Sequence, residues 1–268
     1  NEPPMPVVTY KDHQIHYAIS GKGTPVLLLH GFCEDSRIWH DFQTPLEADY
    51  QIITLDLPGF GQSDPVENLS ISEYAEVLEA VVDALNLQQF ILIGHSMGGY
   101  VALAFAEKRA SSLLGLGLFH SHPYADDTAK KKARTKAIDF VTTNGATTYT
   151  RELIPMLFSG DFLKTKRPIA DKLISNAAEY TDAGVITALQ AMRDRPDRSS
   201  VLETVKCPVL FIIGEEDIAV PEAYSKAQTH VPQTASIHIL PEVGHMGMFE
   251  AQKKTQGIVR DFLAFCTS

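Results

Sequence analysis

One serine of the chain lies between glycines, in a setting that could turn its hydroxyl group into a nucleophile. The stretch Gly94-His95-Ser96-Met97-Gly98-Gly99 follows the apolar run Phe90-Ile91-Leu92-Ile93 and precedes the apolar-periodic run Val101-Ala102-Leu103-Ala104-Phe105-Ala106. This pattern predicts a strand, a sharp turn that carries Ser96, and a helix, with glycine needed because the turn brings side chains almost into contact. A serine hydroxyl is a poor nucleophile at neutral pH, so the chain must also supply a base and an acid.

Two loops further along the chain offer that base and that acid. Asp217 follows the apolar run Val209 to Ile213, and His245 follows the last predicted strand, with a glycine on either side in Gly244-His245-Met246-Gly247. An aspartate can hold one imidazole nitrogen and stabilise the imidazolium that forms when the ring takes the serine proton. We therefore expect Ser96 as nucleophile, His245 as general base and Asp217 as the orienting acid. Glu215 and Glu216 are adjacent alternatives for the acid, although they lie closer to the strand.

A tetrahedral intermediate also needs hydrogen-bond donors for its oxyanion, and backbone amides suit this role because the fold fixes them in advance. Met97 follows the nucleophile directly and offers its amide at the start of the predicted helix. The second amide is expected from the loop after Val26 to Leu29, where His30-Gly31-Phe32-Cys33 begins. Phe32 is the candidate there.

Three further side chains are candidates for lining a substrate pocket. His120-Ser121-His122 follows the apolar run that ends at Phe119, so both histidines are expected near the same sheet edge as Ser96. Trp39, early in the first predicted core helix, could close the pocket from the other side or pack in the core. The sequence alone leaves these two positions for Trp39 open.

The sequence contains no strong metal-binding motif. A site could be drawn from His120, His122, Asp126 and Asp127, but their spacing matches none of the common ligand patterns. The three cysteines are widely separated and form no Cys-x-x-Cys pair: Cys33, Cys207 and Cys266. We expect no metal, no cofactor and reduced thiols.

The elements that must position these residues alternate between strands and helices. A hairpin is predicted around Lys11-Asp12-His13, and a helix follows the capping box Ser70-Ile71-Ser72-Glu73. Short apolar runs typical of buried strands are Val26 to Leu29, Gln51 to Leu55, Phe90 to Ile93, Leu114 to Phe119, Val209 to Ile213 and, more weakly, Ala235 to Leu240. The alternation predicts an α/β fold with a doubly wound, mostly parallel sheet, whose ligands bind at the carboxyl ends of the strands.

The segment 124–199 breaks this alternation because it is polar and rich in helical patterns. It predicts a helical cap inserted into a core domain made of residues 1–123 and 200–268. The insertion contains a run of basic residues: Lys130, Lys131, Lys132, Arg134 and Lys136. Three interpretations of this run stay open, namely a solvated helix face, a docking patch and a site for an acidic substrate.

Composition limits the classes of partner. The chain of 268 residues carries a formal net charge of −10, which argues against nucleic acid and anionic membranes because both favour basic surfaces. No apolar run approaches the roughly 20 residues that span a bilayer. The opening Asn1–Pro6 has neither the basic start nor the apolar core of a secretory signal, so a cytoplasmic location is expected. The oligomeric state stays open.

Taken together, these motifs resemble the α/β-hydrolase fold family. The resemblance covers nearly the whole chain: the His-Gly-Phe turn at 30–32, the segment 56–63, the turn at Ser96 and the loops at Asp217 and His245, with serine, acid and histidine in the family's order. It implies a core sheet of about eight strands and a cap between the sixth and seventh. It also implies a catalytic triad of Ser96, Asp217 and His245.

The expected function is that of a serine hydrolase, which cleaves a small carboxylic ester or lactone through an acyl-enzyme on Ser96. The pattern is similar to small esterases and enol-lactone hydrolases. Dehalogenases and epoxide hydrolases of this fold use an aspartate where this chain has Ser96, whereas carbon–carbon bond hydrolases often have asparagine where it has His95. The remaining alternatives are carbon–carbon bond hydrolysis, a cofactor-free oxygenase or perhydrolase, and a ligand receptor without turnover.

Overall fold

A computed structural model describes residues 5–268 and contains one eight-stranded sheet. Its strands are β1 (Val7–Tyr10), β2 (His13–Gly21), β3 (Thr24–Leu29), β4 (Tyr50–Leu55), β5 (Phe90–His95), β6 (Leu113–Phe119), β7 (Val209–Gly214) and β8 (Ala235–Leu240). The first four residues of the predicted N-terminal segment Asn1–Pro6 lie outside the described residues.

The strand order is β1-β2-β4-β3-β5-β6-β7-β8. The β1–β2 and β2–β4 pairs are antiparallel and all other pairs are parallel, so the predicted hairpin stands at one edge of a parallel sheet. The central strands are apolar on both faces because helices cover the sheet, and Val26 to Leu29 are 0% exposed. The predicted fold class is confirmed.

Eleven α-helices connect and flank the strands within residues 5–268. They are α1 (His40–Gln43), α2 (Ile71–Ala84), α3 (Met97–Arg109), α4 (Thr128–Asn144), α5 (Ala146–Met156), α6 (Gly160–Ala177), α7 (Asp182–Asp194), α8 (Ser199–Thr204), α9 (Glu222–Gln228), α10 (Gly247–Glu250) and α11 (Gln252–Cys266). The predicted capping box starts α2, since the Ser70 side chain accepts from the Glu73 amide and the Glu73 carboxylate accepts from the Ser70 amide. None of these helices is long and apolar enough to cross a membrane.

Five helices, α4 to α8, lie between β6 and β7, and the first four of them fall in the segment 124–199 that the sequence sets apart. We call this segment the insertion. Its helices pack on one another, α4 against α7 and α5, and α5 against α6. The turn between α5 and α6 touches the loop after β8, because the His245 amide donates to the Leu157 carbonyl at 2.8 Å.

The connection from β5 to α3 is the tightest part of the fold. Ser96 has φ of +51° and ψ of −117°, a conformation that costs a non-glycine residue on the order of 1–3 kcal/mol. The surrounding glycines are required sterically, since a Cβ on Gly94 would lie 2.2 Å from the Gly98 carbonyl oxygen. A Cβ on Gly98 would lie 2.5 Å from the His30 carbonyl oxygen. The turn can therefore form only where these side chains are missing.

We predict that Gly94→Ala lowers the free energy of unfolding by about 3 kcal/mol or prevents folding, because the added methyl group meets backbone that cannot move aside. Gly257→Ala is the matched control: it lies inside α11 with nothing within 4 Å of an added Cβ. That substitution should be neutral or stabilise the protein by up to about 1 kcal/mol, since alanine favours helices. Urea unfolding of both variants checks this. An unchanged midpoint for Gly94→Ala would contradict the steric account.

Candidate active site

Ser96 and His245 lie on the wall of one cavity of about 360 Å³. Ser96 follows β5 and His245 lies in the loop after β8, so both are at the carboxyl ends of parallel strands. The opposite wall comes from the insertion and is mostly apolar, with Leu153, Leu157 and Met192 among its side chains. Ser96 is partly exposed although its neighbours in sequence are buried, so its side chain is accessible from the cavity.

The histidine and the aspartate form a buried pair. The Nδ1 atom of His245 lies 2.8 Å from Oδ2 of Asp217, and both side chains are nearly inaccessible to solvent. The other carboxylate oxygen, Oδ1, accepts from the amides of Ala219 and Val220, each at 2.9 Å. Burial alone would raise the pKa of Asp217. The charge of His245 and the hydrogen bond between the two side chains outweigh the effect of burial and lower this pKa.

This arrangement fixes the role of each ring nitrogen. Because a carboxylate only accepts, Nδ1 of His245 carries a proton, and Nε2 is left as the basic nitrogen. The alternatives Glu215 and Glu216 are exposed and form no hydrogen bond with His245. The structure therefore brings together the predicted acid and the predicted base.

The serine is held by its backbone. Its amide donates to the Phe119 carbonyl at 3.0 Å, and its carbonyl accepts from the Ser121 hydroxyl at 2.8 Å. Within residues 5–268 there is no hydrogen bond between the Ser96 hydroxyl and His245, although both border the same cavity. Such bonds are often long before substrate binds and shorten in the reacting complex.

The two candidate oxyanion amides belong to segments next to Ser96. Met97 is the first residue of α3, where backbone N–H groups are unpaired and the helix dipole is positive. Phe32 lines the cavity, and the loop before it packs closely on the turn, since a Cβ on Gly31 would lie 3.0 Å from Cβ of Ser96. Neither the Phe32 nor the Met97 amide donates a hydrogen bond to another described residue. Both are therefore available to an oxyanion.

A buried ion pair connects the loops of the site. Nδ1 of His95 lies 2.9 Å from Oε2 of Glu34, and Nε2 lies 2.8 Å from the His245 carbonyl oxygen. The same Glu34 oxygen accepts from the Gly31 amide at 2.9 Å. Because a carbonyl and a carboxylate both accept, the His95 ring donates through both nitrogens and is an imidazolium.

Electrostatics supports the charged state of both partners. Burial alone would raise the pKa of Glu34, but the charge of His95 and the hydrogen bond to it lower that pKa overall. Burial alone would lower the pKa of His95, but Glu34 and the backbone acceptor at His245 raise it overall. Each group thus stabilises the ionised form of the other.

Sequence reasoning missed the pair. Glu34 lies two residues after Phe32 and belongs to no recognisable motif. His95 was considered only as the residue before Ser96. The signal that could have found them is topological: Glu34 follows β3 and His95 ends β5, and these two strands are adjacent. Ion-pairing residues at the carboxyl ends of neighbouring strands are expected to meet.

A second carboxylate, that of Glu250, fixes the His245 loop. One of its oxygens accepts from the amides of Ser159 and Gly244, and the other accepts from the Met246 amide. Ser159 belongs to the turn between α5 and α6, so Glu250 also holds the insertion against the loop of the base. No sequence motif predicts this contact, because Glu250, the last residue of the short helix α10, belongs to no recognisable pattern.

The structure corrects the expectation for Trp39. Its side chain is 0% exposed and packs at the edge of the Phe42 and Phe119 rings, with ring centroids 5.4 and 5.9 Å away. It lies in the core and not on the wall of the cavity that holds Ser96. The large apolar area of a tryptophan is buried more completely against these rings than it would be at a pocket mouth.

Neither His120 nor His122 lines the cavity that holds Ser96. His120 is fully buried: Nε2 accepts from the Gly247 amide, and Nδ1 lies 3.7 Å from the Asp217 carboxylate. His122 stacks against the rings of Tyr124 and Tyr224, which also contact each other, and it borders a neighbouring cavity. Burial, with nearby cations, lowers the pKa of His122 to about 3. In the part of the chain that the structure describes, no group of three or more His, Cys, Asp or Glu side chains could hold a metal ion.

Comparison with known proteins identifies the family. The model for the alpha/beta hydrolase fold matches residues 24–252, so the chain belongs to that family. It is 30% identical over 230 residues to 2-succinyl-6-hydroxy-2,4-cyclohexadiene-1-carboxylate synthase of Enterobacter sp. (strain 638), covering 82% of this chain and 84% of that protein. It is 27% identical to 2-hydroxy-6-oxononadienedioate/2-hydroxy-6-oxononatrienedioate hydrolase 2 of Pseudomonas putida, covering 94% and 92% of the two chains.

Solved structures show the same fold. A thermophilic esterase from Thermogutta terrifontis, in a malate-bound form, superposes with a TM-score of 0.93 at 26% identity over 99% of this chain and 100% of that one. The enol-lactonase from Burkholderia xenovorans LB400 has a TM-score of 0.90 at 19% identity, over 97% and 100% of the two chains. These comparisons confirm the predicted fold family.

We predict that Glu34→Gln destabilises the protein by about 3 kcal/mol, because it leaves the buried His95 ring without its counter-charge. The pH dependence is specific. The pKa of Glu34 is lowered from 4.5, so its contribution is present above that pH and is lost in acid. The pKa of His95 is raised from 6.5, so its contribution is present below that pH and is lost as the pH rises further. The loss caused by Glu34→Gln should be largest between these two values.

Urea unfolding of the parent and of Glu34→Gln at a pH of about 5.5 and of about 9 measures this difference. The exposed Glu203, substituted as Glu203→Gln, controls for the general effect of removing one carboxylate. A stability loss in Glu34→Gln that is the same at both pH values would show that the pair is not ionised.

Proposed function

We propose that the protein is a serine hydrolase that cleaves a small carboxylic ester or lactone through an acyl-enzyme on Ser96. The observation that carries the proposal is the 2.8 Å contact between His245 and Asp217, next to a cavity that His245 shares with Ser96. A nucleophile, a base and an orienting acid at one end of a sheet are what this chemistry requires.

In the proposed reaction, the Ser96 oxygen attacks the substrate carbonyl carbon while Nε2 of His245 takes the hydroxyl proton. The amides of Phe32 and Met97 donate to the oxyanion, and one such donor contributes about 3–4 kcal/mol to lowering a barrier of this kind. His245 then gives its proton to the leaving alcohol oxygen as the ester bond breaks. Water then gives a proton to His245 and attacks the acyl carbon of the acyl-enzyme. As the bond to the Ser96 oxygen breaks, His245 returns the proton to that oxygen and the carboxylic acid leaves, while Asp217 keeps the ring oriented.

The insertion serves as a cap in this proposal. It supplies apolar wall residues such as Leu153 and Met192, and it is anchored to the His245 loop through Leu157. An apolar cover excludes bulk water and strengthens the electrostatic contacts that form at the reacting carbonyl. A cavity of about 360 Å³ suits a small acyl or lactone substrate.

Relatives support the same class of chemistry and suggest a second candidate. The esterase from Thermogutta terrifontis favours ester cleavage. The relatives named as oxononadienedioate hydrolases favour hydrolysis of a dienoate ketone at a carbon–carbon bond, to which the same triad is suited. Carbon–carbon hydrolases of this fold often have asparagine at the position of His95. The histidine at this position therefore favours ester hydrolysis over carbon–carbon bond hydrolysis.

We predict that Ser96→Ala lowers kcat on para-nitrophenyl esters by about 10⁴-fold or more, because the attacking atom is removed. Asp217→Asn should lower kcat by about 10⁴-fold, since the amide no longer fixes the correct tautomer of His245. The exposed Ser111, changed in Ser111→Ala, is the matched control and should keep the parent rate. Turnover by Ser96→Ala at the parent rate would exclude the proposed mechanism.

A substrate panel separates the candidate functions. Short-chain esters and lactones should be turned over faster than a dienoate ketone in the same assay. Preference for the ketone would favour carbon–carbon hydrolysis, and consumption of oxygen or peroxide-dependent product would indicate an oxygenase or perhydrolase. Binding of esters without any turnover would indicate a receptor.

A further inference from the structure

Two basic side chains of α4 reach the wall of the cavity that holds Ser96. The residues of this helix that line the cavity are Lys130, Ala133, Arg134 and Ala137, whose spacing places them on one helical face. The other basic residues of the run, Lys131, Lys132 and Lys136, are exposed. The helix therefore divides the basic run into a solvated side and a side that faces the candidate active site.

The positive charge on that side is only partly neutralised by neighbouring carboxylates. No Asp or Glu of residues 5–268 lines the cavity. The nearest counter-charge is the carboxylate of Asp126, which is shared by Nε of Arg134 at 3.1 Å and by Nη1 of Arg195 at 2.7 Å. Lys130 has no carboxylate oxygen of a described residue within 4 Å, and its Nζ donates only to the Ala219 carbonyl at 3.3 Å. The cavity is thus locally cationic in a chain whose net charge is −10.

The cationic donors are also free to bind. The side chain of Arg134 is only 16% exposed, and its two terminal nitrogens donate no hydrogen bond within the described part of the chain. Burial lowers the pKa of Lys130, and the charges of Arg134 and Arg195 lower it further, whereas Asp126 and Asp217 act in the opposite direction. A carboxylate bound in the cavity would offset the repulsion between Lys130 and the two arginines. It would also accept hydrogen bonds from the free terminal nitrogens of Arg134.

We propose that the cavity binds substrates that carry a carboxylate group, which Lys130 and Arg134 hold away from the reacting carbonyl. The wall of the same cavity also carries apolar side chains, among them Leu157, Met192 and Val220. The substrate class is therefore an ester or lactone with an anionic end and a short apolar segment. This inference names the substrate of the proposed serine hydrolase and rests on that function.

The test compares substrates that differ only in one charge. The first pair is the para-nitrophenyl monoester of adipic acid and the methyl para-nitrophenyl diester, which places the charge in the acyl part. The second pair is para-carboxyphenyl butyrate and its methyl ester, which places the charge in the leaving alcohol. The parent protein should show kcat/KM about tenfold higher for the charged member of at least one pair.

The variants locate the source of the preference. Lys130→Met and Arg134→Gln should each bring the charged-to-neutral ratio of kcat/KM towards one, mainly through a higher KM for the charged ester. Lys131→Met lies on the exposed side of the same helix and should keep the parent ratio. Added salt should reduce the ratio in the parent protein, because ions screen the attraction.

Equal or better turnover of the neutral esters, or a preference that survives in both Lys130→Met and Arg134→Gln, would overturn the inference while leaving the serine hydrolase intact. If no ester is turned over, the proposed function fails and calorimetry on Ser96→Ala still decides about the anion. In that measurement, monomethyl adipate should bind more tightly than dimethyl adipate, and Lys130→Met should remove the difference. Equal binding of the two compounds would overturn the proposal.

Discussion

The buried ion pair between Glu34 and His95 is the interaction on which the geometry of the site depends. It contacts three loops at once, through the Gly31 amide, the residue before Ser96 and the His245 carbonyl. A charge in this position is unfavourable unless its partner is present, so the loops must come together for the pair to be tolerated. The loops that carry the residues proposed as oxyanion donor, nucleophile and base are therefore held together by one electrostatic constraint.

The core and the insertion have separate tasks in this account. The carboxyl ends of the parallel strands carry the residues proposed for the chemistry, and the strained turn at Ser96 is possible because Gly94 and Gly98 allow backbone contacts that a side chain would block. The insertion contributes the apolar wall and the cations of α4, so it is suited to select the substrate. Hydrogen bonds of Leu157 and Glu250 connect the insertion to the core at the loop that carries His245.

Much of this could be predicted from the sequence, because buried parallel strands are short apolar runs and the residues after them fall at one edge of the sheet. That is why Ser96, Asp217 and His245 could be placed without coordinates. The side chains that each residue packs against could not be predicted. Trp39 lies in the core because it packs against the rings of Phe42 and Phe119, which are distant from each other in sequence. The division of the basic run also required the structure, since periodicity defines a helical face but does not say what that face meets.

The central claim is that Ser96 is an activated nucleophile, and covalent labelling tests it most directly. A fluorophosphonate reacts much faster with an activated serine than with an ordinary one, and the adduct is stable enough for peptide mapping by mass spectrometry. The account predicts a single phosphonyl group on the peptide that contains Ser96, and much slower labelling when His245 is replaced by alanine. No label on folded protein, or a label on any other residue, would contradict it.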